Sequence, residues 1–308
     1  MEVLKKILSE ILYLVISKLD FSKIYEIRMR NGQPIIINYN NNIYFVGENG
    51  LTNDESKSLI SDKDDISQVI VNASNCSLYA VNDQLKQGYI SCNSGIRIGV
   101  VGEIVAENEQ VITVKNYNGI NIRVPHEVKG CSLNVLPYLF KQNEFLNTLI
   151  VSSPGAGKTT FLRDVCYQIS IHNMPFNILV LDERNEIASC YEGKSCLNVG
   201  KFTDVITGGN KKMGFINGIR SMSPDIICTD ELGSKEDYDS VNMANTCGVK
   251  LLASIHASNV FELNYKQGFK DIMSSRIFKR FVVLSNRPNK GTVEGVFDEN
   301  LKMIYSGV

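Results

Sequence analysis

The sequence has no surplus of charge of either sign. It contains 32 lysine and arginine residues against 33 aspartate and glutamate residues, which gives a net charge of -1. Non-specific nucleic-acid binding depends on many cationic contacts to phosphates. The sequence also lacks a basic run with interleaved aromatic residues. Both absences argue against a broad nucleic-acid-binding surface, and we expect no nucleic-acid partner.

A metal-binding pattern of cysteine and histidine is absent as well. None of the eight cysteines forms a C-x-x-C pair, and the three histidines stand far apart. Zinc sites need such ligands at close spacing. The nearest pair, Cys190 and Cys196, has nothing between its members that resembles a zinc knuckle. We therefore expect reduced thiols and a cytosolic compartment.

Long hydrophobic runs are also missing. No segment reaches the roughly 18 uninterrupted apolar residues of a membrane span, so we do not expect an integral membrane protein. The N-terminal hydrophobic residues instead recur at helical spacing and are Leu4, Ile7, Leu8, Ile11, Leu12, Val15 and Leu19. They predict an amphipathic helix. Its apolar stripe either packs in the core or contacts a membrane surface or a partner helix.

The length of 308 residues and the ordinary globular composition predict a main domain and a smaller one. Within residues 1–130, the stretch from about residue 24 to residue 123 shows short strand-like runs and turn signals, which are Asn31-Gly32, Asn49-Gly50 and Asn118-Gly119. One helix is predicted over residues 64–80, with Asp64 or Asp65 at its N-cap and Leu78 facing inward. This pattern predicts a small α+β domain with the amphipathic helix at its start.

Residues 131–308 have a different pattern, in which apolar strands alternate with helix-like segments. The predicted buried strands are residues 146–151, 178–181, 226–229 and 251–255. This alternation predicts an α/β domain with a mostly parallel sheet covered by helices on both faces. Residues 281–284 and 292–297 are predicted to form a closing β-hairpin.

A glycine-rich segment, S-S-P-G-A-G-K-T-T at residues 152–160, follows the first of these strands and precedes a helix. Backbone N–H groups at a helix N-terminus are well suited to bind a triphosphate. Lys158 is expected to reach the β- and γ-phosphates, and Thr159 to offer its hydroxyl to Mg²⁺. We therefore predict that ATP binds to Ser153, Pro154, Gly155, Ala156, Gly157, Lys158, Thr159 and Thr160.

Ser152 departs from the usual G-x-x-x-x-G-K-[ST] pattern, which has glycine at this position. The first position turns the chain out of the strand, whereas the part that holds the anion, G-x-G-K-T-T, is intact. We expect the departure to be tolerated.

Two acidic segments compete for the Walker B role. I-L-V-L-D-E-R-N-E places Asp182, Glu183 and Glu186 after a predicted strand, and P-D-I-I-C-T-D-E places Asp230 and Glu231 after another. Hydrolysis needs an acidic group at such a strand end to position Mg²⁺ and the attacking water. The residues alone leave the choice between the two segments open.

His256 follows the apolar run 251–255 at a predicted strand end. Ligands gather at the carboxyl ends of parallel strands. Two interpretations therefore stay open for His256, a role in sensing the γ-phosphate and a satisfied structural histidine.

Four ordered motifs resemble those of the stage III sporulation protein AA family, which is similar to the secretion and pilus motor ATPases. The motifs are P-G-A-G-K-T-T-F-L-R-D, L-D-E-R-N-E-I-A, R-S-M-S-P-D-I-I-C-T-D-E-L-G and L-L-A-S-I-H-A. The segments E-I-R-M-R-N-G-Q-P and G-I-R-I-G-V-V-G also fit, so the resemblance covers most of the chain. It implies a RecA-like P-loop NTPase domain after a smaller α+β domain.

The resemblance assigns the acidic residues. It implies that Asp182, Glu183 and Glu186 form the Asp box, with Glu183 among the catalytic residues. Asp230 and Glu231 then form Walker B, in which Glu231 orients or activates water and Asp230 supports Mg²⁺. Motor ATPases commonly carry glycine where Asp230 stands.

The resemblance further places His256 in the His box and implies a homohexameric ring. In such rings the N-terminal domain covers the nucleotide and contributes arginines, for which Arg97 and Arg123 are the candidates. Such a cation is worth on the order of 10³ or more in rate; surface pairing with carboxylates is the alternative. Arg220 is a candidate for coupling the site to the neighbouring subunit.

These implications add up to an ATP-hydrolysing motor. The resemblance implies that it powers or assembles the channel between mother cell and forespore during endospore formation. It would act at the cytoplasmic face of the mother-cell membrane, on membrane-embedded channel proteins. Two alternatives are a nucleic-acid-dependent P-loop ATPase and an ATP-binding switch or scaffold with little turnover.

Overall fold

A computed structural model describes residues 2–108, 110–172, 174–266 and 269–307 of the chain. The chain divides into two compact units. The first contains the residues up to His126 together with Tyr191–Cys196, and the second contains Glu127–Cys190 together with the residues from Leu197 onward. The predicted boundary lies between residues 130 and 131, and segment 191–196 was not expected in the first unit. The outermost residues of the predicted domains, Met1 and Val308, lie outside the described residues.

The first unit combines short helices with an antiparallel sheet. The helices are α1 (Glu2–Ile7), α2 (Glu10–Ile16), α3 (Lys63–Ala73) and α4 (Asn82–Lys86). The strands are β1 (Ile24–Arg30), β2 (Gln33–Pro34), β3 (Ile36–Tyr39), β4 (Asn42–Gly47), β5 (Gly50–Thr52), β6 (Ile60–Ser61), β7 (Tyr89–Ser91), β8 (Arg97–Glu107) and β9 (Gln110–Arg123). The main sheet has the order β5-β4-β3-β1-β9-β8-β7, and all its neighbours are antiparallel.

The period-two pattern of the strands determines which face of this sheet is buried. Ile27 and Met29 of β1 point into a core that also contains Leu4 of α1 and Ile66 of α3. Arg28, between them in sequence, is exposed on the opposite face. The helices therefore cover the apolar face of the sheet.

The predicted N-terminal helix is two helices, α1 and α2, interrupted around Leu8 and Ser9. Most of its apolar stripe is buried in the core of the first unit, including Leu4 and Leu12. Ile11, in contrast, is 62% exposed. The structure thus favours core packing for most of the stripe.

The predicted helix at residues 64–80 is wrong at both ends. Its N-cap is Asp62, because the Asp62 carboxylate accepts the N–H of Asp65 while the Asp65 carboxylate accepts the N–H of Asp62. The helix ends at Ala73. Leu78 lies in a separate 3₁₀ turn and is exposed instead of facing inward.

The predicted turn at Asn118-Gly119 is also wrong. Both residues lie within β9, where Gly119 pairs with Arg30 on one side and Val101 on the other. A β-carbon on Gly119 would lie 3.1 Å from a methyl carbon of Val101. Glycine here permits close packing of side chains in a continuous strand instead of forming a turn.

The chain from residue 127 onward contains helices α5 (Lys158–Ile171), α6 (Lys211–Met222), α7 (Lys235–Thr246) and α8 (Lys270–Ser275). Its strands are β10 (Phe140–Lys141), β11 (Glu144–Phe145), β12 (Thr148–Ser152), β13 (Ile178–Asp182), β14 (Cys190–Tyr191), β15 (Lys194–Ser195), β16 (Thr203–Thr207), β17 (Ile226–Thr229), β18 (Lys250–His256), β19 (Arg280–Ser285), β20 (Thr292–Phe297) and β21 (Met303–Ser306). Within the described parts of the chain, no helix is both long enough and apolar enough to cross a membrane.

The main sheet of the second unit has the order β16-β13-β17-β18-β12-β19-β20-β21. Strands β16 to β19 in that order run parallel, and β20 and β21 are antiparallel. Leu149 and Val151 of β12 face one apolar cluster, whereas Ile150 faces another. The sheet is therefore covered on both faces, and the predicted α/β class with a mostly parallel sheet is confirmed.

The register of this sheet brings several strand ends to one edge. Ser152, the last residue of β12, pairs with His256 of β18, and Thr229 of β17 pairs with Leu181 of β13. Because these strands are parallel, the residues that follow them meet at the same edge. The predicted acidic segments and the glycine-rich segment all leave the sheet there.

Candidate functional site

The loop of residues 153–157 connects β12 to α5 and has the geometry of an anion-binding turn. Gly155 and Gly157 adopt left-handed φ values of 74° and 88°. A β-carbon on Gly157 would also lie 3.4 Å from the Cα of Gly291. Gly157 is the N-cap of α5 and no side chain caps the first turn. The loop thus leaves N–H groups at the start of a 14-residue helix uncapped by side chains.

The other predicted binding residues surround this turn. Ser153 and Pro154 are exposed, Ala156 is buried, and Thr159 and Thr160 are half-buried in the first turn of α5. Within the described residues, the Thr159 hydroxyl has no hydrogen-bond partner in the protein. The glycine-rich segment therefore presents both backbone and hydroxyl groups at one place.

Lys158 is buried at the centre of the site. Its Nζ lies 3.2 Å from the Ser152 hydroxyl and 3.2 Å from the Ser153 carbonyl oxygen. It also lies 2.8 Å from Nδ1 of His256. Ser152, which replaces the usual first glycine, therefore supplies an additional acceptor for this lysine.

Burial lowers the pKa of Lys158 to about 8, against an ordinary value of 10.5. The negative charges of Glu231 and Asp230 partly offset this effect, and the positive charge of Lys266 adds to it. The ammonium group is thus held in a site where desolvation penalises its charge. A ligand that brings negative charge would favour the charged form.

His256 connects Lys158 to Glu231. Because Nδ1 lies next to the Lys158 ammonium, it accepts that hydrogen bond, and the ring then carries its proton on Nε2. Nε2 donates to Oε1 of Glu231 over 3.1 Å. The other carboxylate oxygen of Glu231 lies 2.8 Å from Nη1 of Arg184. A continuous series of polar contacts therefore runs from the lysine to the glutamate.

Glu231 has an unusual backbone conformation for a residue with a side chain. Its φ is 45°, in the left-handed region. Its N–H donates to the Ser254 hydroxyl over 3.0 Å, and its carbonyl accepts from Nζ of Lys211 over 3.1 Å. This conformation turns the residue after Asp230 towards His256.

Asp230 is buried, with 4% of its surface exposed. Within the described residues its carboxyl group accepts no hydrogen bond. Its pKa is raised to about 7, mainly by burial and next by the charge of Asp182, while the charge of Lys211 partly offsets these effects. The end of β17 thus carries a desolvated carboxyl group with both oxygens free of protein hydrogen bonds.

Asp182 is also buried, but its carboxylate is fully engaged. It accepts the backbone N–H groups of Glu186, Ile187 and Ala188 over 2.7 to 3.1 Å. Arg163 of α5 donates to the carbonyls of Glu186 and Ile187 in the same loop. Asp182 therefore holds the loop after β13 in place.

Glu183, which follows Asp182, lines a cavity of about 240 Å³. Glu183 is half exposed there, 3.8 Å from Nζ of Lys211. The cavity is also lined by Asp230, Glu231 and Asp237. In the described residues, no cluster of three or more acidic, histidine or cysteine side chains could hold a metal ion by itself.

Arg97 and Arg123 belong to the first unit. They lie opposite each other on β8 and β9, on the face away from the buried Ile98 and Ile122. The Arg97 guanidinium lies 3.7 Å above the ring of Tyr89. Arg220 is exposed in the last turn of α6. Arg97 and Arg123 are thus cross-strand neighbours on one face of their sheet, and Glu26 of β1 is the next neighbour of Arg123.

The comparison with known proteins decides the family. The family described as "Sporulation stage III, protein AA" matches residues 1–304. The chain belongs to this family. It is 32% identical over 275 residues to stage III sporulation protein AA of Bacillus subtilis (strain 168), an alignment that covers 88% of this chain and 83% of the relative. The predicted resemblance is confirmed.

A more distant relative within the same comparison is the uncharacterized protein ycf45 of Cyanidium caldarium. It is 28% identical over 153 residues, which cover 48% of this chain and 43% of that protein. The shared part is therefore about half of each chain.

Solved structures similar to this family member include an ATPase and a pilus retraction motor. The ATPase DotB of Yersinia pseudotuberculosis matches with a TM-score of 0.58 and 14% identity, covering 88% of this chain and 73% of that one. The pilus retraction motor PilT with bound ADP matches with a TM-score of 0.56 and 13% identity, covering 89% and 78%. At this identity the likeness establishes the fold: a RecA-like domain with a smaller N-terminal domain.

Three residues of the site were not predicted from the sequence of this family member. Arg184 lies inside the second quoted motif, and its neighbours gave no reason to single it out. Ser254 is hidden in an apolar strand. Lys211 precedes Phe215 and Gly218 at helical spacing, and all three are buried in α6; this periodicity was the available signal.

Proposed function

We propose that the protein is an ATP-hydrolysing motor ATPase of the secretion-ATPase type. The observation that carries this proposal is the series of contacts Lys158, His256 and Glu231 at the edge of a RecA-like sheet. It joins a phosphate-binding loop to a carboxylate at a neighbouring strand end, which His256 and Arg184 hold in place. The ADP bound to the structurally similar motor PilT supports a nucleotide as ligand.

Each residue has a task in this proposal. The N–H groups at the start of α5 and the Lys158 ammonium bind the β- and γ-phosphates. Glu231 orients the attacking water and accepts its proton. His256 holds Glu231 and shares a hydrogen bond with Lys158, so its contacts change when the lysine turns to a γ-phosphate. His256 would thereby report the presence of that phosphate to Glu231.

The residues at the site fit a nucleotide-bound Mg²⁺. The Thr159 hydroxyl and the buried Asp230 carboxyl group have no protein hydrogen-bond partners among the described residues. Both are oxygen donors of the kind that Mg²⁺ prefers, and this ion usually takes its remaining ligands from phosphates and water. Mg²⁺ would supply charge neutralisation at the phosphates when bound, and Thr159 and Asp230 would hold it.

The proposal extends to a larger assembly. We propose a homohexameric ring in which Arg97 and Arg123 neutralise charge on the transferred phosphoryl group. The ring would act at the cytoplasmic face of the mother-cell membrane, on membrane-embedded sporulation proteins. Its work would be to power or assemble the channel between mother cell and forespore. Membership of the stage III sporulation family supports this setting.

Phosphate release from Mg·ATP tests the catalytic part of the proposal. Glu231→Gln should slow turnover by at least about 100-fold, the usual worth of a catalytic base, while ATP remains bound. Glu144→Gln is the matched control, because Glu144 is an exposed glutamate of the same unit. Equal turnover of the wild type and Glu231→Gln would contradict the proposal. ATP binding without turnover by the wild type would favour a switch, and stimulation by DNA a nucleic-acid-dependent enzyme.

Molecular mass in solution tests the ring. We expect light scattering to detect a hexamer with a non-hydrolysable ATP analogue. A protein that stays monomeric with and without the analogue would contradict the assembly proposed here.

A further inference from the structure

Lys211 is a buried lysine that has no role in the reaction proposed above. It is the first residue of α6, and its side chain is 6% exposed. Its Nζ donates to the carbonyl oxygen of Asp230 over 2.8 Å and to that of Glu231 over 3.1 Å. Its nearest carboxylate oxygens, on Asp237 and Glu183, are farther away, at 3.7 and 3.8 Å. The short contacts of this cation are therefore to backbone carbonyls.

These two carbonyls flank a backbone conformation that needs support. Glu231 has a φ of 45°, which is unfavourable for a residue with a β-carbon. Such a conformation persists only where surrounding contacts determine it. Lys211 supplies such contacts on both sides of the Cα of Glu231. Its ammonium donates to the carbonyl of Asp230, which precedes this Cα, and to the carbonyl of Glu231, which follows it.

Other contacts support the same segment from two further directions. From β18, the Ser254 hydroxyl accepts the N–H of Glu231 and the Ser254 carbonyl accepts the N–H of Leu232. From α7, the Asp237 carboxylate accepts the N–H groups of Gly233 and Ser234. Lys211 is the contact from α6, and it is the one that reaches both Asp230 and Glu231.

Asp237 of α7 interacts both with Lys211 of α6 and with the backbone of the segment that follows Glu231. Burial opposes ionisation of Asp237, but the N–H groups of Gly233 and Ser234 and the charge of Lys211 outweigh it and lower its pKa. Asp237 therefore stays ionised beside Lys211. The cation and the carboxylate fix the start and the end of the segment that follows β17.

We infer that Lys211 is a positioning residue, which holds the left-handed turn at Glu231 and so aims the Glu231 carboxylate at the attacking water. The inference rests on the proposed ATPase activity of the same site. Lys211 contacts neither the phosphate loop nor His256, so its effect on the reaction passes through the backbone of Glu231. Its loss is expected to impair the chemical step more than nucleotide binding.

The kinetic test compares Lys211→Met with Lys212→Met, an exposed neighbour on the same helix. Lys211→Met should lower kcat by about 100-fold, the usual cost of displacing a catalytic group by about 1 Å. The dissociation constant of Mg·ATP should change by less than about threefold, because the phosphate contacts are intact. Lys212→Met should match the wild type in both. An unchanged kcat in Lys211→Met, or a loss confined to nucleotide affinity, would overturn the inference.

A crystal structure of Lys211→Met gives a second test that needs no turnover. We expect Glu231 to leave the left-handed region and its carboxylate to lie beyond about 4 Å from Nε2 of His256, outside hydrogen-bond range. Glu231 unchanged in both respects would overturn the inference. If the wild type hydrolyses no ATP, the proposed function fails, while this structure still decides the role of Lys211. If Lys211→Met does not fold, Lys211→Gln replaces it, since glutamine is too short to reach both carbonyls.

Discussion

Strand β13 ends at an aspartate and strand β17 is followed by one, but the two carboxyl groups differ in their hydrogen bonding. Asp182 and Asp230 are both buried at the same edge of one sheet. The Asp182 carboxylate accepts three backbone N–H groups, whereas the Asp230 carboxyl accepts none within the described residues. One aspartate is therefore used to build a loop, and the other is left for a ligand.

This difference shows that hydrogen bonding decides whether a buried aspartate at a strand end stabilises the fold or stays available to a ligand. A buried carboxylate is stable when hydrogen bonds replace the water it has lost, as at Asp182. A buried carboxylate without them raises its pKa, as at Asp230, where burial has the largest effect. The unfavourable environment of Asp230 costs stability that a bound cation would recover. Variants of Asp182, of Asp230 and of the ion pair between Arg184 and Glu231 test this difference.

The largest effect is expected at Asp182. Asp182→Ala leaves three buried N–H groups without an acceptor and should lower the free energy of unfolding by roughly 3–6 kcal/mol. Urea unfolding measures this loss, and hydrogen exchange should show faster exchange at the amides of Glu186, Ile187 and Ala188. Asp230→Ala is the matched variant and should cost less than about 1 kcal/mol. Equal losses at the two positions would break the comparison.

Asp230 should instead make stability depend on pH. Its pKa is raised from 3.8 to about 7, so the folded state keeps its proton to higher pH than the unfolded state. The contribution of Asp230 to the free energy of unfolding of the wild type is therefore fully present below about pH 4. It is lost as the pH rises to about 7. Asn is neutral throughout, so Asp230→Asn should gain on the wild type by roughly 4 kcal/mol between pH 4 and pH 8.

Urea unfolding of Asp230→Asn and the wild type at several pH values measures this gain. A stability difference that does not change with pH would mean that Asp230 has hydrogen bonds or solvent contact comparable to those of an ordinary surface carboxylate.

The smallest effect is expected at Arg184. Its ion pair with Glu231 is 2.8 Å long, but the Arg184 side chain is 58% exposed. Solvent screens such pairs, so Arg184→Gln should change the free energy of unfolding by less than about 0.5 kcal/mol. A loss above about 1.5 kcal/mol in the same urea experiment would show that this exposed contact, and not the buried turn, holds Glu231.

Much of the second unit could be predicted from the sequence. Its central strands are short apolar runs followed by glycine or acidic residues, and this pattern gave the parallel sheet and the location of the phosphate loop. The edge strands β16 and β21 were missed because they are only partly buried and show little alternation. Lys158, Asp230 and His256 could be predicted as site residues because each lies at or soon after the end of a parallel strand, and parallel strands end at one edge of the sheet.

Other parts depended on contacts that no local pattern records. The sequence could not distinguish Asp182 from Asp230, since the three N–H groups that engage Asp182 come from the fold of the following loop. The turn signal Asn118-Gly119 failed because strand pairing overrode it. The roles of the site residues remain predictions. They are catalysis by Glu231, Glu183, His256, Arg97 and Arg123, ATP binding by the residues around Gly155, and Mg²⁺ binding by Thr159 and Asp230.

Binding of Mg·ATP to Lys158→Ala, measured by calorimetry against the wild type, tests the central claim most directly. In the proposed site, the backbone N–H groups of the phosphate loop and of the start of α5 bind the phosphates together with the Lys158 ammonium. Loss of a buried charge-assisted contact should therefore weaken binding by at least about tenfold, equivalent to about 1.4 kcal/mol, while Lys212→Ala binds as the wild type does. Equal affinity of Lys158→Ala and the wild type, with both proteins folded, would contradict the account.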